Sequence, residues 1–242
     1  MAKIHVMLQG KGGVGKSFGC SSLAQFYDFN KREVTCIDTD PVNATFAGYA
    51  ALKVQRLELM NAQKQINPRY FDDLIQTIST TDRDIIIDNG ASSFVPLTHY
   101  LISNQVPALI KEMGHDLIIH TVVTGGQSLV DTVSGLGQLA SQFPEEAEFV
   151  VWLNPFWGPI EHEGKPFEQM KAYKDNKARI SSIIHVPNLD PDTFGQDLNQ
   201  MQQDRMTFEQ ALANPGLTVM NRQRLKLIRS QLFSQLETAG VL

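Results

Sequence analysis

Four glycines (Gly10, Gly12, Gly13, Gly15), two lysines (Lys11, Lys16) and Ser17 fall within eight residues, GKGGVGKS, and fit the pattern G-x-x-x-x-G-K-[ST]. Such a run can hold a polyphosphate. Its glycines let successive backbone N–H groups turn inward, and a helix that starts at once adds the positive end of its dipole. Lys16 would reach the β- and γ-phosphates of a nucleotide, and the Ser17 hydroxyl would ligate Mg²⁺. The candidate nucleotide contacts therefore run from Gly10 through Val14 to Phe18. The pattern needs one lysine, and it leaves Lys11 without a task.

Three aspartates downstream supply what the loop lacks. Asp38 and Asp40 stand two apart in CIDTDPVNAT, and Asp88 closes the apolar run of DIIIDNGASS. A magnesium nucleotide needs a carboxylate near the metal and a polar group to place the attacking water. Taken singly, each could be a helix cap or a turn residue. Three of them at the carboxyl ends of strands, where open α/β sheets bind ligands, point to a site. No N-K-x-D guanine signature follows any strand, so ATP is the expected nucleotide.

Other reactive residues form no such pattern. His5, His120 and His185 lie in strand-like runs and read as packed polar residues. EHE at 161–163 lacks H-E-x-x-H spacing and a third ligand, and reads as a solvated loop. G-x-S-x-G is absent. The two cysteines, Cys20 and Cys36, show no disulfide or zinc pattern, so a reducing cytosol is expected. In NPFWGP, two aromatics could stack on a base, anchor a partner or cover the core.

Strands are expected at 3–9, 33–38, 55–60, 84–88, 116–123, 148–153 and 179–186. Helical spacing fits 17–29, 69–79, 127–142, 165–177 and 220–238. Several strands are apolar on both faces, which is the pattern of parallel strands covered on each side. The alternation predicts a doubly wound, mostly parallel α/β sheet with helices on both faces, in one domain over 1–242. The last helix sets Leu225, Ile228, Leu232 and Leu236 on one face beside Arg222, Arg224, Lys226 and Arg229. That stripe reads as core packing rather than a membrane anchor.

A net charge of −5 argues against a broad DNA-binding surface and leaves direct DNA contact open. The apolar opening is too short for a signal-peptide core, and no run approaches a membrane span. A cytoplasmic protein without peripheral membrane contact is expected.

KGGVGKS, with Lys11, resembles the deviant Walker A motif of the ParA/MinD family of ATPases. DTDP is similar to that family's switch I, and IIIDNGASS stands in the place of its Walker B and switch II. Within the family, IDTDPVNAT, DNGASSFVP and WLNPFWGPIEHEGK resemble the TraL-type conjugative transfer proteins of plasmids, and the likeness runs end to end. The resemblance implies a P-loop fold, ATP and Mg²⁺ as cofactors, and slow hydrolysis in an ATP-dependent homodimer. It also implies conjugative transfer or relaxosome proteins as partners. Lys11 matches a lysine that reaches across the dimer to the partner's nucleotide. Asp40 matches the residue that positions the hydrolytic water, with Asp38 near the magnesium and Asp88 as the Walker B aspartate. Asn154 matches an asparagine that meets adenine, and Pro187 falls where the base pocket closes. The catalytic set implied is Lys11, Lys16 and Asp40; the metal set is Ser17, Asp38, Asp40 and Asp88. Two departures stand out: Asn89-Gly90-Ala91 replaces the usual switch II proline, and DPVNAT is one residue shorter than DPQGNAT. A nearly inactive ATP-binding scaffold and a P-loop ligase or kinase share the same loop and are the competing readings.

Overall fold

Ile85, Ile86 and Ile87 are consecutive and all buried, so their strand must be covered on both faces. In the computed structural model, which describes all 242 residues, it lies inside a seven-stranded sheet. The strands are β1 (Lys3–Met7), β2 (Val34–Asp38), β3 (Gln55–Arg56), β4 (Asp84–Asp88), β5 (Asp116–Thr124), β6 (Ala147–Asn154) and β9 (Ile180–His185). Their order is β3-β2-β4-β1-β5-β6-β9, and every pairing is parallel. A separate two-residue hairpin, β7 (Glu161–His162) with β8 (Lys165–Pro166), is exposed.

Alternate residues feed two apolar clusters. Ile4, Val6, Ile85, Ile87, Ile119 and Val151 face one side, where α2 (Asp72–Ser79), α3 (Phe94–Ser103), α4 (Val106–Glu112) and α5 (Leu129–Gln142) pack. Met7, Cys36, Ile86, Ile118, Val122 and Trp152 face the other. There they meet α1 (Lys16–Phe29), α7 (Phe194–Gln203), α8 (Phe208–Ala213) and α9 (Val219–Thr238). The expected doubly wound α/β sheet is the fold observed. Short α6 (Lys171–Asn176) flanks α5. No helix is long and apolar enough to cross a membrane.

Some boundaries differ from expectation, for local reasons. Of the expected strand 55–60, only Gln55–Arg56 joins the sheet, because its neighbour β2 ends at Asp38; Met60 makes an isolated antiparallel bridge to Ile66 instead. The expected helix 165–177 starts as the second arm of the hairpin and becomes α-helical only at Lys171. Helices α3, α4, α7 and α8 were not expected. Pro96 and Pro107 interrupt the first two in sequence but sit in their opening turns, where a missing N–H costs nothing. In α7 only Leu198 and Met201 are buried, too few to make a periodic stripe. On α9, Leu225, Ile228, Leu232 and Leu236 are buried as expected, and Arg224 pairs with Asp197 of α7.

The parallel arrangement has one consequence for function. All the strand carboxyl ends, with the turns that follow β1, β2, β4, β5 and β6, gather on one edge of the sheet.

Candidate functional site

The turn after β1 wraps a cradle. Gly15 is the N-cap of α1 at φ +104°, a conformation that only glycine adopts readily, and no side chain caps the helix. A side chain there would also collide with Asn154 Nδ2, 2.8 Å from the position of a Cβ. The first-turn N–H groups of α1 are thus left for an incoming acceptor. Gln9, buried behind the loop, donates Nε2 to the Val122 carbonyl at 3.0 Å and accepts from the Lys11 amide at 3.3 Å. No local pattern around Gln9 signals this support.

Lys16 is buried, and its ammonium donates to the Lys11 carbonyl at 2.9 Å. Burial lowers its pKa, against the pull of the Asp88 and Asp40 charges. The Lys11 ammonium instead extends to Asp131 on α5, at 2.7 Å, with both groups about half exposed. The two lysines of one loop therefore point to different places. Asp131 lies 120 residues away and carried no signal in the sequence.

The aspartates converge from β2 and β4, paired in register as Asp38 beside Asp88. Asp38 is fully buried and accepts from the amides of Asp40 and Ala47, both at 2.9 Å, so it shapes the turn after β2. Burial raises its pKa. Asp40 accepts from the amides of Val42 and Asn43 at 2.9 and 3.0 Å. The two turns are bolted together by Thr39, whose N–H and hydroxyl both donate to the Asp88 carbonyl at 2.9 Å. Ser93 Oγ then joins Asn89 Oδ1 and the Thr39 carbonyl. Gly90 lies flat against Asp40: a Cβ there would be 2.4 Å from Asp40 Cγ.

Asp88 is the most telling group. Burial raises its pKa to about 7, opposed by the Ser17 hydroxyl and the Lys16 charge, and its Oδ1 is buried without a partner. Orphaned buried carboxylate oxygens are costly, so one beside a lysine and a serine implies a missing electropositive partner. Ser17 and Asp88 offer oxygen donors that suit a hard cation such as Mg²⁺, whereas both Asp38 oxygens accept backbone amides and no three acidic side chains close round one point. The residues present fit a magnesium polyphosphate. Bound there, Mg²⁺ would neutralise phosphate charge.

Asn154 ends β6 with its Nδ2 donating to the Val14 carbonyl at 2.9 Å, which ties β6 to the loop. Asn154, Pro187, Gly13, Gly15 and Phe18 line one cavity of about 560 Å³. The structure thus brings Gly10–Phe18, Asp38, Asp40, Asp88, Asn154 and Pro187 to one edge of the sheet. Of the histidines, His5 and His120 are buried on β1 and β5, while His185 is exposed on edge strand β9. Cys20 and Cys36 are buried and unpaired.

The strand order and helical layers define the fold class: an α/β fold like that of the MinD/ParA-type P-loop proteins. The structure aligns with a chain of the MinC:MinD cell division protein complex of Aquifex aeolicus over 99% of this chain and 96% of that one, at TM-score 0.56 and 14% identity. It aligns with the septum site-determining protein MinD of Pyrococcus horikoshii, complexed with Mg-ADP, over 99% and 98%, at TM-score 0.55 and 15% identity. Two proteins of Escherichia coli, both described as Protein TraL, are 65% and 63% identical across the full length of both chains. The chain belongs to the TraL family. No protein-family model matches it.

Proposed function

We propose that the protein is a Mg²⁺-dependent ATPase that works as a nucleotide-gated dimeric switch in the cytoplasm, as one unit over residues 1–242. The observation that carries this reading is the unpartnered, buried Oδ1 of Asp88 beside Lys16 and Ser17, under an uncapped helix N-terminus. The reaction is attack of water on the γ-phosphate. Lys16 and the loop N–H groups stabilise the developing charge, and Asp40, in the turn after β2, orients the water. Ser17 and Asp88 hold the metal side. Lys11 serves a second protomer. The likeness of IDTDPVNAT and DNGASSFVP to TraL-type transfer proteins supports a role in plasmid conjugation, with transfer or relaxosome proteins as partners.

Calorimetric titration with ATP and GTP, with and without Mg²⁺, tests the core of this reading. ATP should bind better than GTP, and well only with Mg²⁺. Lys16→Ala removes a charge-assisted phosphate contact worth about 1.5–3 kcal/mol, a loss of roughly 10- to 150-fold in affinity. Asp40→Ala should retain ATP while turnover falls on the order of a hundred-fold. Equal binding of both nucleotides would remove the adenine assignment, and unchanged turnover in Asp40→Ala would remove the role of Asp40.

A further inference from the structure

The turn leaving β6 carries two aromatic rings outside the core. Phe156 is 71% exposed and Trp157 56%, whereas the other tryptophan, Trp152, is buried. The rings of Phe156 and Trp157 meet edge to face with centroids 4.9 Å apart. They are held in place: Asn154 Oδ1 accepts from the Phe156 amide at 3.2 Å, and Trp157 Nε1 donates to the Gly13 carbonyl at 3.2 Å. The pair is thereby anchored to the phosphate-binding loop itself.

Both rings line the 560 Å³ cavity, together with Gly15, Pro187 and the amide side chains of Asn199 and Gln202 from α7. Its volume is that of a small-molecule site, typically about 300–1,000 Å³. Phosphates need backbone donors and cations, and they have no use for exposed π faces. A nucleobase needs a flat apolar face to stack on and amides for its edge. The cavity offers both, contiguous with Gly13 and Gly15 of the cradle.

We propose that Phe156 and Trp157 form the stacking face for the base of the bound nucleotide, an assignment that rests on the nucleotide-binding reading above. Trp157 then has two separable tasks: its ring meets the base, and its N–H steadies the loop.

Calorimetry and intrinsic fluorescence with Mg-ADP and with Mg-tripolyphosphate, which lacks a base, test this. Mg-ADP should change the emission of the exposed Trp157, and tripolyphosphate should not. Trp157→Ala should weaken Mg-ADP about ten-fold and leave tripolyphosphate binding unchanged. Trp157→Phe should silence the fluorescence response while keeping Mg-ADP affinity within about two-fold, since it retains a ring and loses only the bond to Gly13. The assignment is overturned if Trp157→Ala weakens both ligands equally, which would make the residue a loop support. It is overturned also if the emission responds only to ATP under conditions where two copies associate, which would make the pair a protein contact. Normal Mg-ADP binding in Trp157→Ala sinks the stacking face alone. Failure of wild-type protein to bind either ligand would sink the nucleotide reading, and the stacking face with it.

Discussion

Asp40 and Gly90 stand on different strand ends, yet neither position makes sense without the other. The departure at Asn89-Gly90-Ala91 is visible in the sequence, but its reason is not, because it depends on where the turn after β2 folds. With a Cβ 2.4 Å from Asp40 Cγ, Gly90→Ala must push the Asp40 carboxylate away from its seat. The expected result is a turnover loss on the order of ten- to a hundred-fold, approaching that of Asp40→Ala. Mg-ATP affinity should stay within a few-fold, because Lys16 and the cradle are untouched. Single-turnover hydrolysis measured beside calorimetric binding checks it, and wild-type turnover in Gly90→Ala would mean that Asp40 does its work from elsewhere. The same contrast shows what the sequence carries at this scale. Gly10–Ser17 was legible because its chemistry is local to eight residues. Gln9, Asp131 and the Gly90 contact were not, since each acts on a residue brought near only by the fold.

Strands β1 and β5 are joined by more than their ladder. Trp152 Nε1 can only donate, so His120 Nδ1 accepts from it at 3.0 Å. His120 must then carry its proton on Nε2 and donate to His5 Nδ1 at 2.9 Å, and His5 Nε2 donates to the Tyr27 hydroxyl at 2.9 Å. The chain of bonds has one direction and no room for another proton. Burial drives the pKa of His5 down to about 3 and that of His120 well below its usual value. The sign follows: the unfolded chain takes up protons from pH 6.5 downward, and the folded one does not. Stability from this pair is complete above pH 6.5 and is lost as pH falls below it, for His5 down to about 3, with a limiting slope of about 1.4 kcal/mol per pH unit per histidine. Urea unfolding between pH 4.5 and 7.5 should show that slope in wild type. A His5→Leu, His120→Leu double variant should be less stable at pH 7.5, with Trp152 and Tyr27 unpaired, and visibly flatter toward acid; an unchanged slope would assign acid sensitivity to other groups. The elements themselves were largely legible, since β1, β2, β4, β5 and β6 carry apolar residues on both faces. Helix α7 was hidden by its glutamines, and α8 by its brevity, although Thr207 and Gln210 form a capping box that TFEQ spells out.

At the scale of the whole molecule, the edge that gathers the site also gathers exposed apolar side chains. Val42, Val95 and Val130 follow three different strands and are all more than half exposed. A second copy meeting this edge by two-fold symmetry would cover them and set each Lys11 before the other's phosphates. In the single chain, Lys11 is not free to do so, because Asp131 holds it at 2.7 Å. Leaving Asp131 costs little, as an ion pair this exposed is worth about 0–1 kcal/mol. Transfer to a phosphate in a water-poor interface returns more, because Coulomb attraction strengthens as the local dielectric falls. Asp131 therefore sets a small threshold against pairing before ATP is bound. In an Asp40→Ala background that retains ATP, Asp131→Ala should tighten the ATP-bound dimer by up to about thirty-fold, since two such pairs break per dimer. Lys11→Ala should weaken it by more than that, while monomer ADP binding stays nearly intact. Sedimentation velocity across protein concentration with each nucleotide reads both shifts. If Asp131→Ala weakens the ATP-bound dimer as Lys11→Ala does, the aspartate belongs to the assembled interface rather than to the resting chain. An ATP-bound Asp40→Ala protein that stays monomeric throughout would leave Lys11 paired with Asp131 for good.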